Sequence, residues 1–480
     1  MVPVALFLAA VWSMSASAQA PRSPDPSPPK RVEPIVGAKT YLERHFGLSK
    51  QEADARLQRQ ADVETLSVSL AAKHGGSYLG AVIDHQPAYG VLLVFDRDVT
   101  QAELNEDIPP SLRPYVKLKR SRYTATEIEQ RQRELVAALG SIPFSISYDY
   151  RTDKFELRAD RQDALEKIPA SLRSDVIFHV GGAPVAAQTG VQPGDEVYGG
   201  WIMYDQNNAD ICTMGYSVRL SDSSQALLSA STGHCGRTAT KVNTNNHFVT
   251  LPVAVDDDGR NSTGDRSYDM SVMRTTGITS GPWAWYWNNL RGDYKYCTSA
   301  TNCTTRSWAN VHPDYNQSGS YFYITGAITG LGSGGSNPGH PVGSVRCKSG
   351  KKTGITCGLI TTSSVVISSA REDGVTKTSY GYVEYGNSDQ MVVGYFGDSG
   401  GPVFTQPVYS ASSGQYEIKA AGITTSVEAR YANPYSLSDT TRRPCISGQD
   451  GVCPAYYMPI DRINDKQPMT IITANGLVSP

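Results

Sequence analysis

Beyond residue 197 the chain is a series of short strand-like segments, and this pattern limits the possible folds more than any other feature. Turn residues separate segments that recur at intervals of about ten residues, and helical periodicity is nearly absent. The segments are 197–202, 212–220, 225–231, 248–255, 269–274, 321–325, 343–347, 364–369, 381–385, 401–404 and 416–424. Many short strands of this kind predict a β-barrel or a β-sandwich.

The region before residue 188 has a different pattern, in which helix signals alternate with strand pairs. Ser49 and Glu52 have the spacing of a capping box before a helix of about seven turns, which Gly75 would end. Residues 78–83 and 90–95 then read as a strand pair. The same order recurs in the segments 124–139, 142–150, 155–157, 163–168 and 175–180. We therefore expect an α+β module with its own core in front of the β-rich region.

The first 34 residues are predicted to lie outside these folded regions. Residues 3–13 form a short apolar run, and Ala18-Gln19-Ala20 has the small-x-small pattern of a signal-peptidase site. We expect residues 1–20 to be a signal peptide, although no Lys or Arg precedes the apolar run. Residues 21–34 are proline-rich and polar, which is typical of a semi-rigid linker. The protein is expected to be secreted.

Composition and hydropathy argue against two kinds of partner. The net charge is −2 and 19% of the residues are charged, so no surface for a polyanion such as nucleic acid is indicated. Apart from the short run near the N-terminus, no stretch approaches the roughly 20 apolar residues that cross a bilayer. We expect neither a nucleic-acid partner nor a membrane partner.

All eight cysteines lie beyond residue 211 and fall into pairs that are close in sequence. An even number of cysteines in an exported chain predicts disulfides. A zinc site is the rival interpretation, but the chain lacks the paired Cys-x-x-Cys units that such sites use. We expect no metal and no cofactor. The pairs by proximity are Cys212 with Cys235, Cys297 with Cys303, Cys347 with Cys357 and Cys445 with Cys453.

Residues 395–404 have the features of a loop that carries a nucleophile. Ser399 has glycines on both sides, an acid directly before it and an apolar pair beyond it. Glycine-rich main chain can adopt unusual angles or approach a ligand closely. The N–H groups of Gly397 and Ser399 could then form an oxyanion hole, which holds the charge that develops on an attacked carbonyl. The alternative is an ordinary glycine-rich hairpin, which this stretch alone would favour.

Two further stretches favour the catalytic interpretation. His234 lies beside Cys235 at the end of an apolar run, and Asp269 begins a strand-like segment. The order histidine, aspartate, serine is that of chymotrypsin-type enzymes. With these residues the chain resembles the chymotrypsin-like serine peptidases, and most closely the secreted bacterial branch typified by alpha-lytic protease and the streptogrisins. Residues 347–358 are similar to the cysteine-bounded loop that precedes the nucleophile in that branch.

The resemblance implies an all-β fold of two six-stranded antiparallel β-barrels, preceded by an α+β propeptide domain. The peptidase domain would be residues 188–480, with inserts near 282–318 and 430–455. Residues 35–187 would be a propeptide that assists folding and is removed at an exposed joint within 182–194. The alternative for that region is an accessory domain that the mature protein retains. In the family the first and third cysteine pairs are also present, whereas the pair usually found around the nucleophile is absent here.

The resemblance also gives each catalytic residue a role. His234 would accept the proton of Ser399 and return it to the leaving amine, while Asp269 fixes the imidazole tautomer. His247, His312 and His340 are the other histidines in this region, and Asp265 is the competing acid. Asp398 is expected to orient the loop rather than to carry a proton. The reaction would pass through an acyl-enzyme on Ser399.

Three further residues would line the primary specificity pocket by the same alignment. Val393 would form the base, and Thr425 and Val427 the opposite wall. A valine base leaves a bound Lys or Arg side chain without a partner, and a branched residue on the wall narrows the pocket. We therefore expect cleavage of protein or peptide substrates after small or medium apolar residues.

The sequence thus predicts a secreted serine endopeptidase whose partners are its substrates and its own propeptide. Two other functions stay open. One is a non-catalytic binding protein with the trypsin fold, which would usually lack a triad residue. The other is an esterase that uses the same triad. Trp283, Trp285 and Trp287 alternate within the first insert, either as a row that lines a subsite or as a cluster under a long loop.

Overall fold

The computed structural model of the 480-residue chain describes the greater part of both regions. The predicted signal peptide and the linker lie outside the described residues. Among the described helices, none is both long and apolar enough to span a membrane. The described residues are 37–140, 142–159, 161–180, 184–185, 202–204, 210–220, 227–232, 235, 241–242, 249–256, 270–275, 283–288, 293–297, 299, 301–307, 317–330, 337–370, 376–386, 392–431, 442–446, 450, 453–463, 469–474 and 476–478.

The described residues up to 180, which we call the N-terminal region, form an α+β structure. Its elements are α1 (Ala38–Phe46), α2 (Lys50–His74), β1 (Tyr78–Asp84), β2 (Gly90–Phe95), α3 (Gln101–Leu104), β3 (Val116–Arg120), α4 (Ala125–Leu139), β4 (Phe144–Asp149), β5 (Lys154–Ala159), α5 (Ala164–Lys167), α6 (Ala170–Arg173) and β6 (Val176–Val180).

Local signals explain where the two long helices begin and end. The Ser49 hydroxyl accepts a hydrogen bond from the Glu52 N–H at the start of α2, and Gly75 ends that helix with a positive φ of 56°. At α4 the side chains of Thr124 and Glu127 each bond the other's backbone N–H, which completes a capping box. These predicted boundaries are confirmed.

The N-terminal region is built from two similar units. In each unit a long helix is followed by an antiparallel hairpin, a short helical segment and a third strand parallel to the second. An Ile-Pro-x-Ser-Leu-Arg sequence precedes the third strand in both units. Its arginine donates to the carbonyl of its own isoleucine, Arg113 to Ile108 at 3.2 Å and Arg173 to Ile168 at 2.9 Å. The recurrence expected from the sequence is therefore present.

The remaining described residues form the β-rich region. Its strands are β7 (Pro184–Val185), β8 (Ile202–Tyr204), β9 (Asp210–Thr213), β10 (Ser217–Leu220), β11 (Leu227–Ser231), β12 (Lys241–Val242), β13 (Val249–Asp256), β14 (Met270–Thr275), β15 (Trp283–Asn288), β16 (Asp293–Cys297), β17 (Cys303–Ser307), β18 (Gln317–Ala327), β19 (Val345–Gly350), β20 (Gly354–Ala370), β21 (Thr376–Gly386), β22 (Pro402–Phe404), β23 (Val408–Ser410), β24 (Gln415–Tyr431), β25 (Arg442–Pro444), β26 (Ala455–Pro459), β27 (Met469–Thr473) and β28 (Gly476–Val478).

The protein is mostly β-sheet. One sheet has six strands in the order β13-β14-β11-β10-β27-β28, and a larger one has fourteen and includes β18, β19, β20, β22 and β24. The prediction of one strand over 212–220 is wrong. Residues 214–216 belong to no strand, and β9 joins a sheet with β8 while β10 joins the six-stranded sheet. The arrangement of two six-stranded barrels stays a prediction.

The N-terminal region and the β-rich region share a sheet and part of a core. Strand β4 pairs with β20 in antiparallel register, from Val365 opposite Ser147 to Ser368 opposite Phe144. The first unit has its own apolar cluster, whereas that of the second unit continues into the β-rich region. The first unit is not fully separate either, since Leu79, Val82 and Val94 belong to the cluster that continues into the β-rich region.

Candidate active site

Ser399 lies in a tight loop between the end of one buried segment and strand β22. Gly397 and Gly400 on either side of it have φ values of 95° and 87°, which side-chain-bearing residues rarely adopt. The Ser399 hydroxyl donates a hydrogen bond to the Thr425 carbonyl at 3.1 Å, and the residue is 5% exposed. The Gly400 N–H donates to the Thr424 carbonyl at 2.6 Å. The loop is therefore fixed against strand β24.

A buried ion pair holds this loop from the other side. The Asp398 carboxylate lies 2.8 Å from the Lys348 ammonium, and both side chains are fully buried. Asp398 also accepts hydrogen bonds from the N–H groups of Tyr395 at 3.1 Å and Lys352 at 2.9 Å, and from Thr353. Burial lowers the pKa of Lys348, and Asp398 opposes that shift. These contacts give Asp398 an orienting role in the loop.

Close packing around the ion pair explains two of the glycines. A Cβ atom on Gly350 would overlap the Asp398 carboxylate, and one on Gly401 would overlap the Ser349 carbonyl oxygen. The Lys-Ser-Gly sequence that follows Cys347 therefore packs directly against the Ser399 loop. The sequence signal for this segment was its resemblance to the family, but that resemblance did not reveal that Lys348 pairs with Asp398.

The proposed catalytic His234 and Asp269 both lie outside the described residues. A neighbour of the histidine is described, since Cys235 forms a disulfide with Cys212 and its sulfur lies 3.8 Å from the Ser399 carbonyl oxygen. Thr213, which follows Cys212, donates its N–H to the same Ser399 carbonyl at 2.7 Å. The chain next to His234 in sequence is thus in contact with Ser399.

Strand register relates the ends of two strands in the six-stranded sheet. Ser231, at the end of β11, is opposite Ser271, near the start of β14. Strand β11 therefore ends at the edge of the sheet where β14 begins. His234 follows β11 by three residues and Asp269 directly precedes β14 in the sequence.

Among the three predicted pocket residues, the structure shows a direct contact with Ser399 for Thr425. Val393 and Val427 belong to one apolar cluster, with exposed fractions of 1% and 3%. A Cβ atom on Gly394 would lie only 2.6 Å from Cγ1 of Val427, so the two predicted walls are in contact. Thr425 is fully buried, and its carbonyl accepts the Ser399 hydrogen bond.

A short strand from the end of the predicted propeptide lies against the same wall. Val185 and Pro184 of β7 pair in antiparallel register with Val427 and Glu428 of β24. Val427 follows Thr425 by two residues. The sequence predicts an exposed joint over residues 182–194, and two residues within that range form strand β7. Sequence reasoning missed this pairing because it joins residues far apart in the chain.

Four disulfides are present, and they are the pairs grouped by sequence proximity, including Cys297–Cys303 and Cys347–Cys357. One group of potential metal ligands occurs among the described residues, in which atoms of Cys445, Asp450 and Cys453 lie within 4.8 Å of one another. Its two sulfurs are joined in a disulfide and lack the thiolate charge that zinc requires. Asp450 instead pairs with Arg443 at 2.6 Å.

Comparison with solved structures found distant similarities to bacterial serine proteases. A Nocardiopsis protease is 18% identical, with a TM-score of 0.34, and the match covers 58% of this chain and 100% of that one. Cellulomonas bogoriensis chymotrypsin is 18% identical, with a TM-score of 0.30, and the match covers 56% of this chain and 95% of that one. An alpha-lytic protease homologue, N4, is 16% identical, with a TM-score of 0.30, and the match covers 56% of this chain and 96% of that one. No protein-family model and no curated protein matches the chain.

Proposed function

We propose that this protein is a secreted serine endopeptidase that hydrolyses peptide bonds through an acyl-enzyme on Ser399. The observation that carries the proposal is the loop itself. Ser399 lies between two positive-φ glycines, the buried Lys348–Asp398 pair fixes the residue before it, and its hydroxyl donates a hydrogen bond to the Thr425 carbonyl of β24. A rigid loop of this kind can present a hydroxyl to a substrate carbonyl in a fixed geometry.

In the proposed reaction the Ser399 oxygen attacks the substrate carbonyl while His234 takes its proton. Asp269 orients the imidazole, and the N–H groups of Gly397 and Ser399 hold the developing oxyanion. Two observations on residues next to His234 and Asp269 support placing these two side chains near Ser399. Cys235 packs against the Ser399 carbonyl, and strand β14, which follows Asp269, begins where β11 ends. Transfer of the proton to the leaving amine gives the acyl-enzyme, which water then hydrolyses.

Hydrolysis by the purified protein separates this function from the two alternatives. A peptidase is expected to cleave both a peptide amide and a simple ester, whereas an esterase would cleave only the ester. A binding protein would cleave neither. Secretion is supported by the four disulfides, which persist in oxidising compartments.

We further propose that residues 35–187 are a propeptide and residues 188–480 the peptidase domain. The position of β7 supports this, because Pro184 and Val185 add a strand to β24 beside the predicted pocket, as a peptide substrate would. The shared sheet between β4 and β20 gives the N-terminal region a surface on which the β-rich region can fold.

The mature protein is expected to start between residues 182 and 197, because the chain on the N-terminal side of this joint belongs to the proposed propeptide. N-terminal sequencing of the secreted form measures the start. A Ser399→Ala chain is the matched control, and we expect it to remain uncleaved if the enzyme processes itself. Expression from residue 197 onward should yield little active protein, because β20 and β24 would then have to fold without the strand partners β4 and β7 that the uncleaved chain supplies. A fully active protein that starts near Pro21 would instead show that the region is retained.

Cleavage is expected after Ala, Val or Leu, because the contact between Val427 and Gly394 leaves little room for a larger side chain. Val427→Gly should remove this restriction and raise cleavage after Phe or Tyr relative to Ala by about tenfold or more. Peptide-library profiling measures both preferences. Val408→Gly, at a position that is 60% exposed on β23, is the matched control and should change neither. A dominant preference for Arg, Lys or Glu would contradict the assignment of this pocket.

A further inference from the structure

Helix α2 buries a stripe of polar side chains where an amphipathic helix would normally bury apolar ones. Arg56, Gln60 and Glu64 recur every four residues and therefore share one face, and each is no more than 9% exposed. A buried polar group is unfavourable unless it is hydrogen-bonded, so this face needs specific partners. Those of Gln60 and Glu64 lie in the β-rich region.

The side-chain amide of Gln60 binds both backbone groups of one residue. Its oxygen accepts the N–H of Val345 at 2.7 Å, and its nitrogen donates to the Val345 carbonyl at 3.4 Å. The same nitrogen donates to Glu64 at 2.9 Å. Val345 is the first residue of β19, so Gln60 fixes the start of this strand as a neighbouring strand would.

Glu64 holds the next residue of β19. Its carboxylate lies 2.7 Å from the guanidinium of Arg346, which is fully buried. Burial alone would lower the pKa of Arg346, and Glu64 together with Tyr457 raises it above the ordinary value instead. Arg346 also donates to the carbonyls of Val345 at 3.1 Å and Gly339 at 3.3 Å. The charge of Arg346 is thus balanced by a residue of the N-terminal region.

Strand β19 leads from this contact directly to the nucleophile loop. Lys348 follows Arg346 by two residues, so both side chains project from the same face of the strand. Lys348 binds Asp398, the residue before Ser399, and β19 also pairs with β22, which begins three residues after Ser399. The strand held by α2 therefore contacts the loop on both sides of the nucleophile.

We infer that Gln60 and Glu64 are positioning residues for the nucleophile loop. By fixing Val345 and Arg346 they set the position of β19, which places Lys348 against Asp398 and so gives the loop its shape. The Cys347–Cys357 disulfide lies between Arg346 and Lys348 and joins β19 to β20, so it can retain the strand once the N-terminal region is removed. The catalytic consequence rests on the proposed function of Ser399.

Hydrogen exchange in the full chain tests this link without relying on activity. The Ser399→Ala background prevents self-cleavage, and Gln60→Ala and Glu64→Gln are introduced separately. Each is expected to speed amide exchange at least tenfold in both 345–350 and 395–401, and less than twofold in the β4–β5 hairpin, residues 144–159. Glu52→Gln is the matched control on α2. It removes the ion pairs with Arg56 and Arg59 and should leave both segments as in the parent.

Two outcomes would overturn the inference. Unchanged exchange in 395–401 would show that β19 does not transmit the contact, and an equal rise in 144–159 would show only a general loss of stability. If either variant fails to fold, Glu64→Asp keeps the charge on a shorter side chain and should give a smaller rise confined to the same two segments. A rise spread over the whole chain would contradict the inference.

A second readout uses the chain with Ser399 intact. After denaturation and refolding, the rate at which sites titratable by an organofluorophosphate appear should fall at least tenfold for Glu64→Gln and stay within twofold for Glu52→Gln. If titratable sites appear in Glu64→Gln as fast as in the parent chain, the positioning role is contradicted. Absence of any adduct in the parent chain would instead contradict the proposed peptidase function, and the exchange experiment would still decide the positioning role.

Discussion

Ser399→Ala is expected to lower kcat/KM for a peptide substrate by roughly 10⁴-fold or more, because the nucleophile and its base act as a unit. The fold should persist. The one hydrogen bond described for the lost hydroxyl, to the Thr425 carbonyl, contributes about 0.5–1.5 kcal/mol. Progress curves with a peptide amide measure the loss, and a urea unfolding curve measures stability. His234→Ala should be about as damaging.

Ser368→Ala is the matched control for this change. Ser368 is a fully buried serine on β20, and its hydroxyl has no hydrogen-bond partner among the described residues. Its loss should leave kcat/KM within about twofold, since no part of the proposed mechanism uses it. Wild-type activity in Ser399→Ala would place the nucleophile elsewhere in the chain.

The second large effect is expected from Lys348→Met, which leaves the Asp398 carboxylate buried without its cation. Removing one partner of a buried pair costs about 3–5 kcal/mol. The loop before Ser399 should lose its fixed geometry, so activity should fall together with stability. Urea unfolding of the Lys348→Met, Ser399→Ala double variant measures the loss in free energy of unfolding without self-digestion. Peptide hydrolysis by the Lys348→Met variant with Ser399 intact measures the loss of activity.

Two comparisons show whether the buried charge is the cause. Adding Asp398→Asn to Lys348→Met removes the charge and keeps one oxygen for the N–H groups of Lys352 and Thr353, which both bond Oδ1, so part of the lost stability should return. Arg120→Met breaks an ion pair with Asp98 whose side chains are 61% and 84% exposed, and it should cost less than about 1 kcal/mol. Equal losses for Lys348→Met and Arg120→Met would contradict the role given to the buried pair.

Features with a local signal could be predicted from the sequence. The helix α2 begins and ends where Ser49 and Gly75 place it, because capping involves residues only a few positions apart. The glycine-rich loop around Ser399 was also recognised, since its positive φ values require glycine at fixed offsets from the serine. The four disulfides could likewise be predicted, because each joins cysteines that are close in the sequence.

Features that depend on distant pairings left no such signal. Strand β7 carries two residues, and its partner on β24 lies more than 200 positions away, so no periodicity in the sequence predicts it. The contact of Gln60 with Val345 likewise joins residues 285 positions apart. The break between β9 and β10 was missed because residues 214–216 are buried and apolar in character, like the strands that they separate.

Whether Ser399 is an activated nucleophile can be measured by labelling the secreted, folded protein with an organofluorophosphate and locating the adduct by mass spectrometry. The reagent reacts with a serine whose proton is taken up by a neighbouring base and whose loop stabilises the developing charge. We expect one adduct per chain, on Ser399, and no adduct in Ser399→Ala or in the protein unfolded by urea. An unlabelled Ser399 in protein that hydrolyses peptides, or an adduct on another serine, would contradict this expectation.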